Sequence, residues 1–242
     1  MKQLNKPIRK NYPTTFSYNV DLLFYYIKKN RLLFIILFAV IIALMISVFT
    51  YSLVTQNNSK KSLILIESVY DNITLYIDKY STLNNKEELR NKIDPALEKI
   101  IKKYPNTSEA LRAHYYLGLM DYLDGNYENT IKHYKKILNK NTHFKVNVYF
   151  GIIQSYLALK DFQNAEKYGL LMFKKFKKNN FGALACYLLG KIYEIEKDPK
   201  KALEYYHKIE RDYGSSYLAM DQKIKNSILL YELESQGLPN IE

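Results

Sequence analysis

The stretch from Leu32 to Val54, LLFIILFAVIIALMISVFTYSLV, contains no charged residue. A bilayer has a hydrocarbon core about 30 Å thick, and roughly 20 apolar residues cross it as a helix. The run is long enough, so it reads as a membrane span. It divides the chain into a short basic segment, residues 1–31, and a larger part, residues 55–242, that must fold outside the hydrocarbon.

The flanks give the span a direction. Lys2, Lys6, Arg9, Lys10, Lys28, Lys29 and Arg31 precede it against Asp21 alone, whereas only Lys60 and Lys61 follow closely. Cationic flanks are retained on the cytoplasmic side. The expectation is a cytoplasmic N-terminus, with everything after Val54 on the far side. A cleaved signal peptide has a shorter apolar region, about 7 to 15 residues, ending in a small-residue site. Here the run is longer and is followed by TQNNSKK, so an uncleaved signal anchor is the better reading. Val20 to Lys29, with an apolar face and a basic end, suits a short helix on the inner leaflet. The alternative is a plain extension of the spanning helix.

The net charge of +12 comes mainly from lysine, the arginines being Arg9, Arg31, Arg90, Arg112 and Arg211. Phosphate and nucleic-acid sites favour the bidentate guanidinium fork, so no nucleic-acid partner is expected. Cys186, the single cysteine, excludes an internal disulfide and reads as a small buried hydrophobe.

Beyond the span the periodicity is helical throughout. Ile66, Val69, Tyr70, Ile73, Tyr76, Ile77 and Tyr80 place an apolar stripe on a helix over Ser62 to Tyr80. A polar turn, Ser81 to Lys86, leads to a short helix. Asp94 then reads as an N-cap with Pro95 in the first turn of another helix, ending at Lys103. Asn106 with Glu109 has the spacing of a capping box. Gly125 suits the residue just past a helix end, and Ser216 to Glu234 reads as one terminal helix. No segment alternates with period two.

Laid over one another, these helices repeat. One copy has His114, Leu117, Gly118, Asp121, Thr130 and Tyr134, with Gly125 and Tyr127 at its turn. The next has Tyr149, Ile152, Ile153, Tyr156, Ala165 and Gly169, and the third Cys186, Leu189, Gly190, Tyr193, Ala202 and Tyr206. Corresponding places lie about 35 to 37 residues apart, near the 34-residue tetratricopeptide unit, with the excess around Lys177 to Phe181. Small residues stand where paired helices approach closely, and large ones fill the gaps between pairs.

Over about Glu87 to Ile209 these residues resemble tetratricopeptide-repeat proteins, with Ser216 to Glu234 as the closing cap. The order of anchor, repeats and a segment like Met220 to Leu230 is similar to the YfgM-like family of bacterial inner-membrane proteins. The resemblance implies an all-α fold: one transmembrane helix, then a tetratricopeptide-like α-solenoid in the periplasm. It also implies partnership with the Sec translocon and periplasmic chaperones.

Chemistry is sparse. His114, His133, His143 and His207 have no metal-ligand spacing, and neither a nucleophile elbow nor a phosphate loop is present. The expectation is no enzyme, no cofactor and no metal. What the repeats offer is a surface lined by the first helix of each pair: Arg112, Tyr115, Leu119 and Tyr122, then Phe150, Gln154 and Leu157, then Tyr187, Lys191 and Glu194. This aromatic strip suits an extended or helical peptide. The basic and asparagine clamp for a C-terminal carboxylate is not reproduced, since Tyr115 and Leu119 take its places. The expected function is a membrane-anchored scaffold binding protein or peptide partners in secretion or envelope protein biogenesis. Its rivals are a periplasmic coordinator of cell division or outer-membrane assembly and a cytoplasm-facing receptor.

Overall fold

The computed structural model describes residues 6–11, 13–82 and 84–235, and all regular structure among them is helical. It separates into two compact units, one up to Asn58 and one from Ser59 onward.

The first unit holds a short 3-10 turn, Arg9–Asn11, helix α1, Thr15–Lys29, and the N-terminal part of α2, Arg31–Asp78. Helix α2 is long and apolar enough to cross a membrane, and apart from half-buried Phe34 its large side chains from Leu32 to Val54 are exposed to their surroundings. The polar stretch TQNNSKK does not end it. No glycine or proline occurs between Arg31 and Asp78, so nothing in the backbone chemistry stops propagation there.

In the second unit, α2 lays Ile66, Val69, Ile73 and Tyr76 against Leu89, Ile93, Leu97 and Ile100 of α3, Lys86–Lys103. Ala110, Ala113, Leu117 and Met120 of α4, Ser108–Leu123, complete this cluster. Pro95 lies inside α3, contrary to the expected helix start. An interior proline costs about 3 kcal/mol. The four buried residues of α3 share one face across it, and Arg90 pairs with Asp94 at 2.9 Å, so packing on both sides carries the helix through. The cap of α4 is also displaced by one residue. Thr107, not Asn106, accepts the Ala110 N–H at 3.2 Å, while Glu109 turns inward to accept a hydrogen bond from Ser62 at 3.1 Å.

From α4 onward each helix packs on its sequence neighbours: α5, Tyr127–Leu138; α6, Lys145–Ala158; α7, Phe162–Phe176; α8, Phe181–Ile195; and α9, Pro199–Asp212. In addition α4 touches α6, and α6 touches α8. The same turn follows α4, α6 and α8. Gly125, Lys160 and Lys197 have φ of 79°, 59° and 60°. The amide after each donates back to the carbonyl of Asp121, Tyr156 and Tyr193, at 2.8, 2.8 and 2.9 Å. This is the bonding of a helix ended by a left-handed residue. A side chain other than glycine costs roughly 1 to 2 kcal/mol there, and the Lys160 and Lys197 amides donate to the Leu157 and Glu194 carbonyls at 2.9 and 3.1 Å.

The expected terminal helix is two. Asp221 is extended, at φ −66° and ψ 120°, between α10, Tyr217–Met220, and α11, Gln222–Ser235. Its carboxylate accepts the Lys223 N–H at 2.8 Å, so the aspartate starts a new helix where an unbroken one was expected. Ile224 and Ile228 of α11 then cover Ala202, Tyr206 and Ile209 of α9.

A polar chain joins the first helices of this unit. Arg90 binds Asp121 at 2.8 Å and approaches Asp124 at 3.6 Å, and the Tyr76 hydroxyl donates to Asp124. Next to Asp121, His133 Nδ1 meets His114 Nδ1 at 3.0 Å, a contact in which one nitrogen must keep its lone pair. Burial, and then the neighbouring His133, lower His114 from 6.5 to about 4; burial lowers His133 as well. An unfolded histidine takes up its proton near 6.5, so between these values the unfolded chain binds more protons and stability falls as pH falls. Asp94 and Asp121, held above 3.8 by burial, act in the opposite sense near the bottom of that range. We expect urea titrations of the full chain in mild detergent to show roughly 2 kcal/mol lost between about pH 7 and about pH 5. The variant H114Q should flatten that slope; equal stability at the two pH values would remove the histidine pair as its source.

Candidate functional site: an aromatic cleft on α4 and α6

The cleft begins with a glycine in the wrong place for a helix. Gly151 lies inside α6, where glycine costs about 1 kcal/mol relative to alanine. Its vacancy is filled by the ring of Tyr134 from α5, which a Cβ at Gly151 would overlap. On the other side the same ring meets Gly118 of α4, where a Cβ would stand 2.5 Å away. Tyr134 is thus clasped between two glycines and only 2% exposed, and it sets the approach of α4, α5 and α6.

Over this floor a cleft of about 200 Å³ opens, lined by Tyr115, Leu119 and Tyr122 of α4 and by Asn147, Phe150 and Gly151 of α6. Tyr115 stacks on Phe144 at 4.8 Å and on Tyr134 at 5.9 Å, and its hydroxyl accepts a hydrogen bond from Asn147 at 3.2 Å. Tyr122 meets Tyr127 edge-on at 5.7 Å. Phe150 stays 38% exposed at the mouth. Burial raises the phenol pKa of Tyr122 and of Tyr134, so both are neutral hydrogen-bonding groups across the ordinary pH range. No charged side chain lines the cleft. Its chemistry is that of an aromatic slot with an amide and hydroxyls at its edge, able to take an apolar or aromatic side chain from a partner.

Four of the residues expected on this face therefore come together: Tyr115, Leu119, Tyr122 and Phe150. Arg112 does not join them, because its guanidinium lies 3.8 Å from Glu67 of α2 and near the Tyr116 ring. Leu157 and Tyr187 pack, half-buried, on the central core that runs from α5 to α8. Lys191 and Glu194 pair with one another one turn apart on α8, and Gln154 is half-buried on α6. Tyr134, Asn147 and Gly151 were not expected in the lining. The mid-helix glycine is the sequence signal that finds the first and last of these, since it marks a close approach by a neighbour.

No family model matches the sequence, and no solved structure matches it. A stretch of 101 residues, 40% of the chain, is 31% identical to an uncharacterized protein of Borreliella burgdorferi. That match spans 29% of the relative's length.

Proposed function

We propose that the chain is a single-pass scaffold of a bacterial inner membrane. On this reading its helical unit from Ser59 is a tetratricopeptide-like α-solenoid facing the periplasm, with α4/α5, α6/α7 and α8/α9 as its pairs. The common turn at Gly125, Lys160 and Lys197 and the neighbour-on-neighbour packing support the repeat. The basic flank before Leu32 supports the orientation.

The observation that carries the function is the uncharged aromatic cleft. A carboxylate tail would find no cation there, whereas the apolar face of an extended or helical peptide would bury a side chain against Phe150 and Tyr115. The partner is a protein handled in secretion or envelope biogenesis, near the Sec translocon. Anchoring raises the local concentration of the cleft at the membrane, where a weak site is effective.

Crosslinking in intact cells followed by mass spectrometry tests the site. The variant Y115A/F150A should remain folded, since both residues are partly exposed, yet recover several-fold less partner. Equal recovery by the folded variant would remove the cleft from the interaction. Translocon subunits among the adducts would favour secretion, and division or outer-membrane assembly proteins the rival coordinator.

A further inference from the structure

Helix α1 carries Phe16, Val20, Leu23, Phe24 and Ile27 on one stripe, the i, i+4, i+7, i+8 and i+11 places of an amphipathic helix. Ser17, Asp21 and Lys28 run along one flank of this stripe, and Tyr18, Leu22, Tyr25 and Lys29 stand opposite it. The helix buries none of its residues, and Phe16, Leu23 and Phe24 are 78%, 55% and 53% exposed. It is nonetheless well defined. Thr14 caps it by accepting the Ser17 N–H at 3.1 Å, and at Asn30 the backbone leaves the helical region, at φ −114° and ψ 39°. So α1 is not a plain extension of α2, which starts at the next residue.

Basic residues stand at both ends, Arg9 and Lys10 before α1, Lys28 and Lys29 in its last turn and Arg31 just after it. Among the described residues before the span, Asp21 is the one acid. Cationic side chains at the edge of a span hold the level of the lipid headgroups, because moving them into hydrocarbon is costly. The C-terminal end of α1 is therefore fixed at that level by Lys28, Lys29 and Arg31. From there, pointing into water would leave the whole apolar stripe solvated, whereas lying in the interface buries it, with Asp21 and Lys28 at the headgroup flank and Lys29 on the watered side. Tyr18, Tyr25 and Tyr26 fit the headgroup layer, where aromatic rings with a polar tip concentrate.

We propose that α1 is a membrane-surface helix that docks on the anionic headgroups of the leaflet at the N-terminal end of the span. This rests on Leu32 to Val54 being a span, and the test separates the two.

The chain has no tryptophan, so one introduced indole reports alone. Full-length F24W and, separately, F38W are reconstituted in vesicles of equimolar phosphatidylcholine and phosphatidylglycerol, or of phosphatidylcholine alone, with lipids brominated near the top of the acyl chain or near its end. The F24W indole should emit at shorter wavelength than in water and be quenched best by the shallow bromines on the anionic vesicles. Adding K28E/K29E should lower that quenching at least about two-fold there, in line with a contribution from each cation near an anionic surface, and change little on phosphatidylcholine. Equal quenching on the two vesicles would overturn the anionic docking. A blue-shifted but unquenched F24W indole would place the stripe against protein, including a second copy, and would also overturn it. Water-like emission from F24W with deep quenching of F38W removes α1 from the surface and leaves the span standing. Failure of F38W to be quenched at all would refute the span itself, and α1 docking with it.

Discussion

Replacing Tyr134 by alanine is expected to destabilise the helical unit by about 3 to 5 kcal/mol, the range for emptying a large aromatic from a closed site. The ring is only 2% exposed and fills the notches left by Gly118 and Gly151, so three helices lose a shared contact at once. The converse change, G151A, should cost about 1 to 3 kcal/mol, because its methyl group enters the space of the ring. The two effects share one volume, so they must not add. In Y134A/G151A the methyl occupies part of the cavity, and the double variant should be less destabilised than the sum of the singles by more than about 0.5 kcal/mol. Urea titration of the full chain in detergent measures all three. Additive losses would mean that the two residues are not packed together, and the floor of the cleft would have to be redrawn.

Arg90→Ala is expected to be the most damaging change at a charged residue. The guanidinium lies between Asp94, Asp121 and Asp124, with Arg90 19% and Asp121 6% exposed at their side chains. Burial, and then the neighbouring carboxylates, raise the carboxyl pKa of Asp94 and of Asp121, and the arginine offsets part of that rise. Removing it leaves two carboxylates desolvated beside each other, for an expected loss of about 3 kcal/mol. R90A/D121N should regain part of that loss by neutralising the better-buried acid. R90K should lie between wild type and R90A, because an ammonium keeps the charge but not the fork that bonds two carboxylates together. If R90A is as stable as the parent chain, the network contributes nothing to joining α3 and α4.

The long apolar helix near the N-terminus and the helical periodicity were readable in the sequence because each depends on composition at fixed spacing. Asp121, Tyr156 and Tyr193, aligned by their likeness to the tetratricopeptide pattern, accept equivalent hydrogen bonds from the residues after Gly125, Lys160 and Lys197. What could not be read depends on competition between neighbours in space. Pro95 looks like a helix start until Leu89, Ile93, Leu97 and Ile100 are known to share one buried face across it. Asn106 and Thr107 are both good caps, and the choice follows from Glu109 turning to Ser62 far back in the chain. Asp221 interrupts what looks like one helix because its own carboxylate caps the next. At the cleft, Tyr115, Leu119, Tyr122 and Phe150 come together as helical spacing suggests, whereas Arg112 lies outside its lining and faces Glu67 of α2, a partner distant in sequence.

The most direct test of the proposed function is the side of the membrane on which the unit from Ser59 lies. Protease added to intact spheroplasts, with a periplasmic and a cytoplasmic protein as controls, should digest that unit and leave a protected fragment containing residues 1–31 and the span. Protection of the unit while the periplasmic control is cut would put the cleft in the cytoplasm and contradict a periplasmic scaffold.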